Sequence, residues 1–129
     1  MNKDRIIVTS GIFDPLTLKE LRFLQKCKNK GDWLIVGIYS DINLHMRTGY
    51  LNQNYETRRE IIEELRCVDE VFRFHDGDGT VCNLLKLVKF CYPLSDITYI
   101  TDSDMHNMPE TKIKGINRSE EHTSELQSH

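Results

Sequence analysis

The side chains able to do chemistry gather in one stretch, Ser10 to Glu20, which reads SGIFDPLTLKE. It offers hydroxyls at Ser10 and Thr17, carboxylates at Asp14 and Glu20, and an ammonium group at Lys19. The flanking residues say how the fold must hold it. Ile6-Ile7-Val8-Thr9 is a β-branched run of the kind that forms a buried parallel strand. Leu18, Leu21, Leu24 and Cys27 recur at helical spacing, with Phe23 beside them. Gly11 allows a tight turn between the two, and Asp14-Pro15 reads as a helix-entry pair, Asp capping and Pro opening the first turn. Strand, tight loop and helix place the loop at the carboxyl end of a strand, where open α/β sheets bind ligands. A helix N-terminus there favours an anion such as phosphate. The glycine spacings of the dinucleotide-binding and P-loop fingerprints are absent.

Ser10-Gly11-Ile12-Phe13-Asp14-Pro15-Leu16 resembles the first motif of the cytidylyltransferase-like nucleotidyltransferases, G-x-F-D-x-x-(T/H)-x-G-H. The resemblance continues through Gly31 to Asp41, through Gly49-Tyr50 and Tyr55-Glu56-Thr57-Arg58, and through Val68 to Val71 and Asp78-Gly79-Thr80. It covers residues 5 to 116. It implies an α/β doubly wound parallel sheet of the Rossmann-like nucleotidyltransferase type. It also implies transfer of a nucleotidyl group from CTP or ATP, usually with magnesium, to a phosphorylated small alcohol or sugar, releasing pyrophosphate. By that resemblance Ser10, Gly11, Ile12, Phe13, Asp14, Arg47, Arg58 and Asp104 are expected to bind nucleotide, and Thr17, Lys19 and Glu20 occupy the catalytic positions.

Two motifs depart from the family pattern. The family's glycine and second histidine are Lys19 and Glu20 here, and its G-G-D-R reads Asp102-Ser103-Asp104-Met105. Glu20 therefore has two readings. It is a substituted acid–base residue, or it closes a capping box, Thr17-x-x-Glu20, with Thr17 accepting from a backbone N–H and Glu20 reaching back. A carboxylate at this place opposes a triphosphate: unit charges about 4 Å apart repel by roughly 4 kcal/mol at an intermediate dielectric. Lys19 returns one positive charge but not a fixed imidazole donor. Arg47 and Arg58 can each hold phosphate; the alternatives are a solvated loop arginine and an intrahelical pair. The expected function is accordingly nucleotidyl transfer, with a non-catalytic nucleotide-binding or interaction module as the rival.

At 129 residues and 39% hydrophobic content the chain makes one domain with a modest core. A net charge of −3 gives no general attraction to nucleic acid or anionic lipid. The amino terminus does not read as a signal peptide, and no run approaches the roughly 18 apolar residues of a membrane span. Cys27, Cys67, Cys82 and Cys91 form no C-x-x-C pair and read as buried reduced thiols of a cytoplasmic protein, not a zinc site. No metal-ligating set is expected: Asp76 and Asp78 suggest a calcium loop, but Leu87 stands where its bidentate glutamate belongs. His45, His75 and His106 read as solvated loop residues. The expected partners are a nucleotide and a phosphorylated small molecule, and a homodimer is one assembly compatible with the resemblance.

Further strands are expected at Trp33–Tyr39, Glu70–Phe74 and Ile97–Thr101, and helices at Tyr55–Cys67 and Val81–Phe90, with Ile61, Ile62 and Leu65 facing inward and Arg58 outward. Asn43 to Asn54 reads as a loop turning at Gly49. Past about Asn117, residues 118–129 look like an in-frame translation of a sequencing-library adapter. The expectation is a domain over residues 1–117 that lacks its last strand, followed by an unpacked tail.

Overall fold

The computed structural model describes residues 2–101 and 115–120. Among the described residues nine elements follow in chain order: β1 (Arg5–Gly11), α1 (Leu18–Lys28), β2 (Trp33–Ile38), α2 (Asp41–Thr48), α3 (Tyr55–Glu63), β3 (Glu70–Phe72), α4 (Cys82–Cys91), β4 (Asp96–Thr101) and β5 (Ile116–Glu120). The strands form one parallel sheet in the order β3-β2-β1-β4-β5. The chain winds outward from β1 through β2 to β3, then returns to the other side of β1 for β4. The order reverses between β1 and β4, and the crevice at their carboxyl ends is where such sheets take ligands.

Alternation along β1 divides the core. Ile7 faces one layer with Phe23, Leu24 and Cys27 of α1 and Ile62 of α3. Ile6 and Val8 face the other, against Leu84, Leu85 and Val88 of α4. All six of these strand and α4 side chains are at most 3% exposed, so β1 is covered on both faces as a parallel strand requires. Gly37 in β2 lets α4 approach: a Cβ there would lie 2.4 Å from a Leu84 methyl.

Several expectations are corrected. Residues 41–48 are a helix, not loop: Ser40 caps it by accepting from the Asn43 N–H, Leu44 is buried, and Gly49 (φ 86°) terminates it in the left-handed region. Helix α3 stops at Glu63, after which the N–H groups of Glu64, Leu65 and Val68 make tighter i−3 bonds. Its inner face also differs, because Arg58 is fully buried while Ile61 is 37% exposed. The sheet has a strand after Gly115: β5 pairs with β4 from Ile97↔Ile116 to Thr101↔Glu120. The fold thus has the strand expected to be missing, and Arg118 to Glu120 pair rather than trail. Residues 121–129 lie outside the described residues. All four cysteines are free, but only Cys27 is fully buried, and Cys91 is exposed. No helix among the described residues is long and apolar enough to cross a membrane.

Candidate nucleotide cleft

Strand β1 delivers Ser10 and Gly11 to the switch point, and β4 delivers Tyr99 and Thr101 beside them. Together with Ile12, Phe13, Glu20, Phe23, Tyr39 and Arg47 they line a cleft of about 230 Å³. The loop between β1 and α1 owes its path to two fixings. Phe13 adopts φ 53°, left-handed backbone that ordinary side chains rarely take. Its ring is only 3% exposed and folds back over Gly11, where a Cβ would lie 2.5 Å from the ring. The second fixing is Arg58, whose Nη1 donates to the carbonyls of Ile12 (3.0 Å) and Tyr39 (2.9 Å). Its Nε donates to the Gln53 carbonyl and its Nη2 to Asp41 Oδ1 at 2.7 Å. Arg58 thereby ties the loop, the end of β2, the start of α2 and the entry to α3 together.

Asp14 caps nothing on α1. Its Oδ1 and Oδ2 accept from the backbone N–H groups of Gln53 (2.6 Å) and Asn52 (2.9 Å), which pins the loop before α3 to the loop after β1. Helix α1 begins at Leu18, three residues beyond Pro15, and its cap is Thr17. The capping box is complete: Thr17 Oγ1 accepts from the Glu20 N–H (3.1 Å), and Glu20 Oε1 accepts from the Thr17 N–H (2.9 Å) and hydroxyl (3.2 Å). Glu20 therefore both caps the helix and lines the cleft. Lys19 is exposed and stands outside the cleft lining.

Among the described residues, the positive charge in the cleft wall is Arg47. Its guanidinium lies 4.6 Å from the Tyr39 ring centre, its Nε donates to Asn43 Oδ1, and its Nη2 donates to the Gly79 carbonyl at 2.9 Å. The arginine is thus aimed by contacts that leave Nη1 uncommitted among the described residues. Asp104 lies outside the described residues, as do Met105 and His106. His45 and His75 are exposed, and no group of three His, Cys, Asp or Glu side chains able to hold a metal is assembled among the described residues.

Sequence reasoning missed Tyr39, Phe23, Tyr99 and Thr101. Tyr39 directly follows β2, and Tyr99 and Thr101 lie in the carboxyl half of β4, so the switch-point rule applied to the second and fourth predicted strands could have found them. It also missed Asp76, 6% exposed, whose Oδ2 accepts from the Ser40 N–H (2.6 Å) and Oδ1 from its hydroxyl (2.8 Å), fixing the start of α2. The Asp78 carboxyl is held below its usual range by the N–H and hydroxyl of Thr80.

The pattern of the family described as Cytidylyltransferase-like matches residues 8–125. The chain belongs to that family of nucleotidyltransferases. It is 38% identical over 88 residues to the bifunctional protein HldE of a Nitratiruptor species, covering 66% of this chain and 18% of that protein. It is 39% identical over 67 residues to the FAD synthase of Thermococcus sibiricus, covering 50% of this chain and 45% of that one. The chain therefore spans less than half the length of these relatives. The fold matches the crystal structure of the lipopolysaccharide core biosynthesis protein from Thermoplasma volcanium GSS1, with TM-score 0.62 and 25% identity, covering 89% of this chain and 92% of that one.

Proposed function

We propose that the chain binds a nucleoside triphosphate, CTP or ATP, in the cleft at the ends of β1 and β4, and that it transfers the nucleotidyl group poorly. The observation that carries this reading is the Glu20 carboxylate, fixed in the cleft wall by its bonds to Thr17. In the reaction of the family type, an oxygen of the acceptor's phosphate attacks the α-phosphorus in line. The bond to the β-phosphate oxygen breaks, and pyrophosphate leaves with that electron pair. Catalysis of this kind rests on positioning and on donors aimed at the developing charge.

This chain supplies part of that apparatus. Ser10 and the Gly11–Phe13 turn shape the floor, Tyr99 and Thr101 form the β4 wall, and Arg47 presents the uncommitted Nη1 to an anion. Arg58, buried with four hydrogen bonds to protein, positions the loop and is not the phosphate holder expected from its motif. Glu20 opposes the phosphates it faces and takes the Thr17 N–H that an anion could otherwise have used. Magnesium would enter on the triphosphate oxygens, where it neutralises charge and keeps much of its water. A phosphorylated small molecule as acceptor and a cytoplasmic setting accompany this reading.

Pyrophosphate release tests it. With CTP or ATP and a mixture of phosphorylated acceptors, the unaltered chain should turn over about 10²–10³-fold below the Lys19→Gly/Glu20→His variant. Robust turnover by the unaltered chain that disappears in Glu20→Ala would make Glu20 a working catalytic group and overturn the proposal. Nucleotide binding with no release in either protein would favour the non-catalytic module.

A further inference from the structure

A second groove, of about 410 Å³, adjoins the nucleotide cleft on the α2 side and shares Arg47 with it. Its volume falls within the range of small-ligand pockets, about 300–1,000 Å³. Ile42 and Met46, 75% and 80% exposed on α2, form one wall, and the Gly77–Gly79 turn forms the other. Exposed side chains of this size beside a concavity are the material of an apolar binding surface.

The polar side chains of this groove are spent on one another. Ser40 donates to Asp76, the Asn43 amide donates to the Asp76 carbonyl (3.1 Å), and Asn43 Oδ1 accepts from Arg47. These bonds hold the groove in shape and leave the Arg47 Nη1 as its cationic contact for a ligand. A sugar needs several hydrogen-bond partners, because each hydroxyl buried without one costs about 1–3 kcal/mol. An apolar body with a single phosphate needs only a greasy wall and one cation.

We infer that this groove binds a phosphorylated molecule with a compact apolar body, its phosphate against Arg47 and its body between Met46 and Gly77. Such a ligand is the acceptor class that reaches the nucleotide cleft. Its standing as acceptor rests on the nucleotide reading above, whereas binding in the groove is measurable alone.

The probes are n-hexyl phosphate, n-hexanol and glucose 1-phosphate, titrated into the full chain and followed by backbone amide shifts. Gly77→Leu puts a bulky side chain on a residue that lines the groove, and a Cβ there meets nothing within 4 Å, so the variant introduces no clash of its own. Hexyl phosphate should shift Ile42, Met46 and Gly77, and bind at least about tenfold more tightly than either other probe. Gly77→Leu should abolish that binding and leave the CTP or ATP affinity within about twofold. Equal or tighter binding of glucose 1-phosphate in the groove would overturn the inference. So would hexyl phosphate shifts confined to Ser10–Phe13, or binding unchanged in Gly77→Leu. Nucleotide binding without any hexyl phosphate binding overturns this inference alone. Hexyl phosphate in the groove without any nucleotide binding supports the groove and overturns the nucleotide reading.

Discussion

Replacing Arg58 would remove far more than a charge. Its guanidinium accounts for the carbonyls of Ile12, Tyr39 and Gln53 and for an oxygen of Asp41, so its loss strands acceptors from four segments at once. Arg58→Met should destabilise the fold by about 3 kcal/mol in chemical denaturation, because each buried group left unpaired carries a desolvation penalty. A loss under about 1 kcal/mol would contradict the positioning role and return Arg58 to the candidates for phosphate contact. Thr17 is a milder case. Thr17→Ala removes the acceptor for the Glu20 N–H and one donor to its carboxylate, and should cost about 1 kcal/mol on the same measurement. The capping box was legible in the sequence because it depends on residues three apart. The burial of Arg58 was not. Its partners come from remote segments, and helical periodicity assigns an arginine to the wet face by default.

At the scale of elements, local pattern was enough wherever an element is long and covered. β1 and α1 were legible from β-branched residues and helical spacing, but the buried face of α1 is Phe23, Leu24 and Cys27 while Leu18 is 60% exposed, and the helix opens at Leu18 rather than at Asp14-Pro15. Helix α2 escaped notice because it runs only from Asp41 to Thr48 and exposes Ile42 and Met46. What holds it is the Ser40–Asp76 contact, made across 36 residues of sequence. A similar long-range contact joins the far end of the sheet. Tyr92, just past α4, donates its hydroxyl to Glu70 Oε1, which also accepts from the Trp33 indole N–H at 2.8 Å. Burial and this bond to a carboxylate push the Tyr92 hydroxyl up to about 12. A group raised in the folded state stabilises fully below its unfolded value near 10, and that contribution fades as pH climbs from about 10 to about 12. Denaturation midpoints measured across this window should fall less steeply for Tyr92→Phe than for the unaltered chain. Identical slopes would contradict the contact.

The whole molecule is a sheet organised around β1, and its outermost strand carries the sharpest revision of the sequence reading. Residues 118–120 were expected to trail because their side chains offer little to bury. Strand pairing does not require such burial: the ladder between β4 and β5 is made by backbone groups, whatever the adapter-like side chains are. The proposal of a non-native tail is thereby narrowed to side-chain identity and does not extend to a lack of structure at Arg118 to Glu120. Hydrogen exchange should show protected amides within Ile116–Glu120, slower than those of an open chain. Exchange at the open-chain rate across that segment would contradict β5.

The function proposed for the whole chain reduces to one cleft that accepts a triphosphate while a carboxylate in its wall opposes it. Calorimetric titration of CTP and ATP into the unaltered chain and into Lys19→Gly/Glu20→His tests that most directly. Weak, saturable binding by the unaltered chain, tightened by about tenfold or more in the variant, is the predicted result, since about 1.4 kcal/mol of relieved repulsion suffices. No binding by either protein, or equal affinity in both, would contradict it.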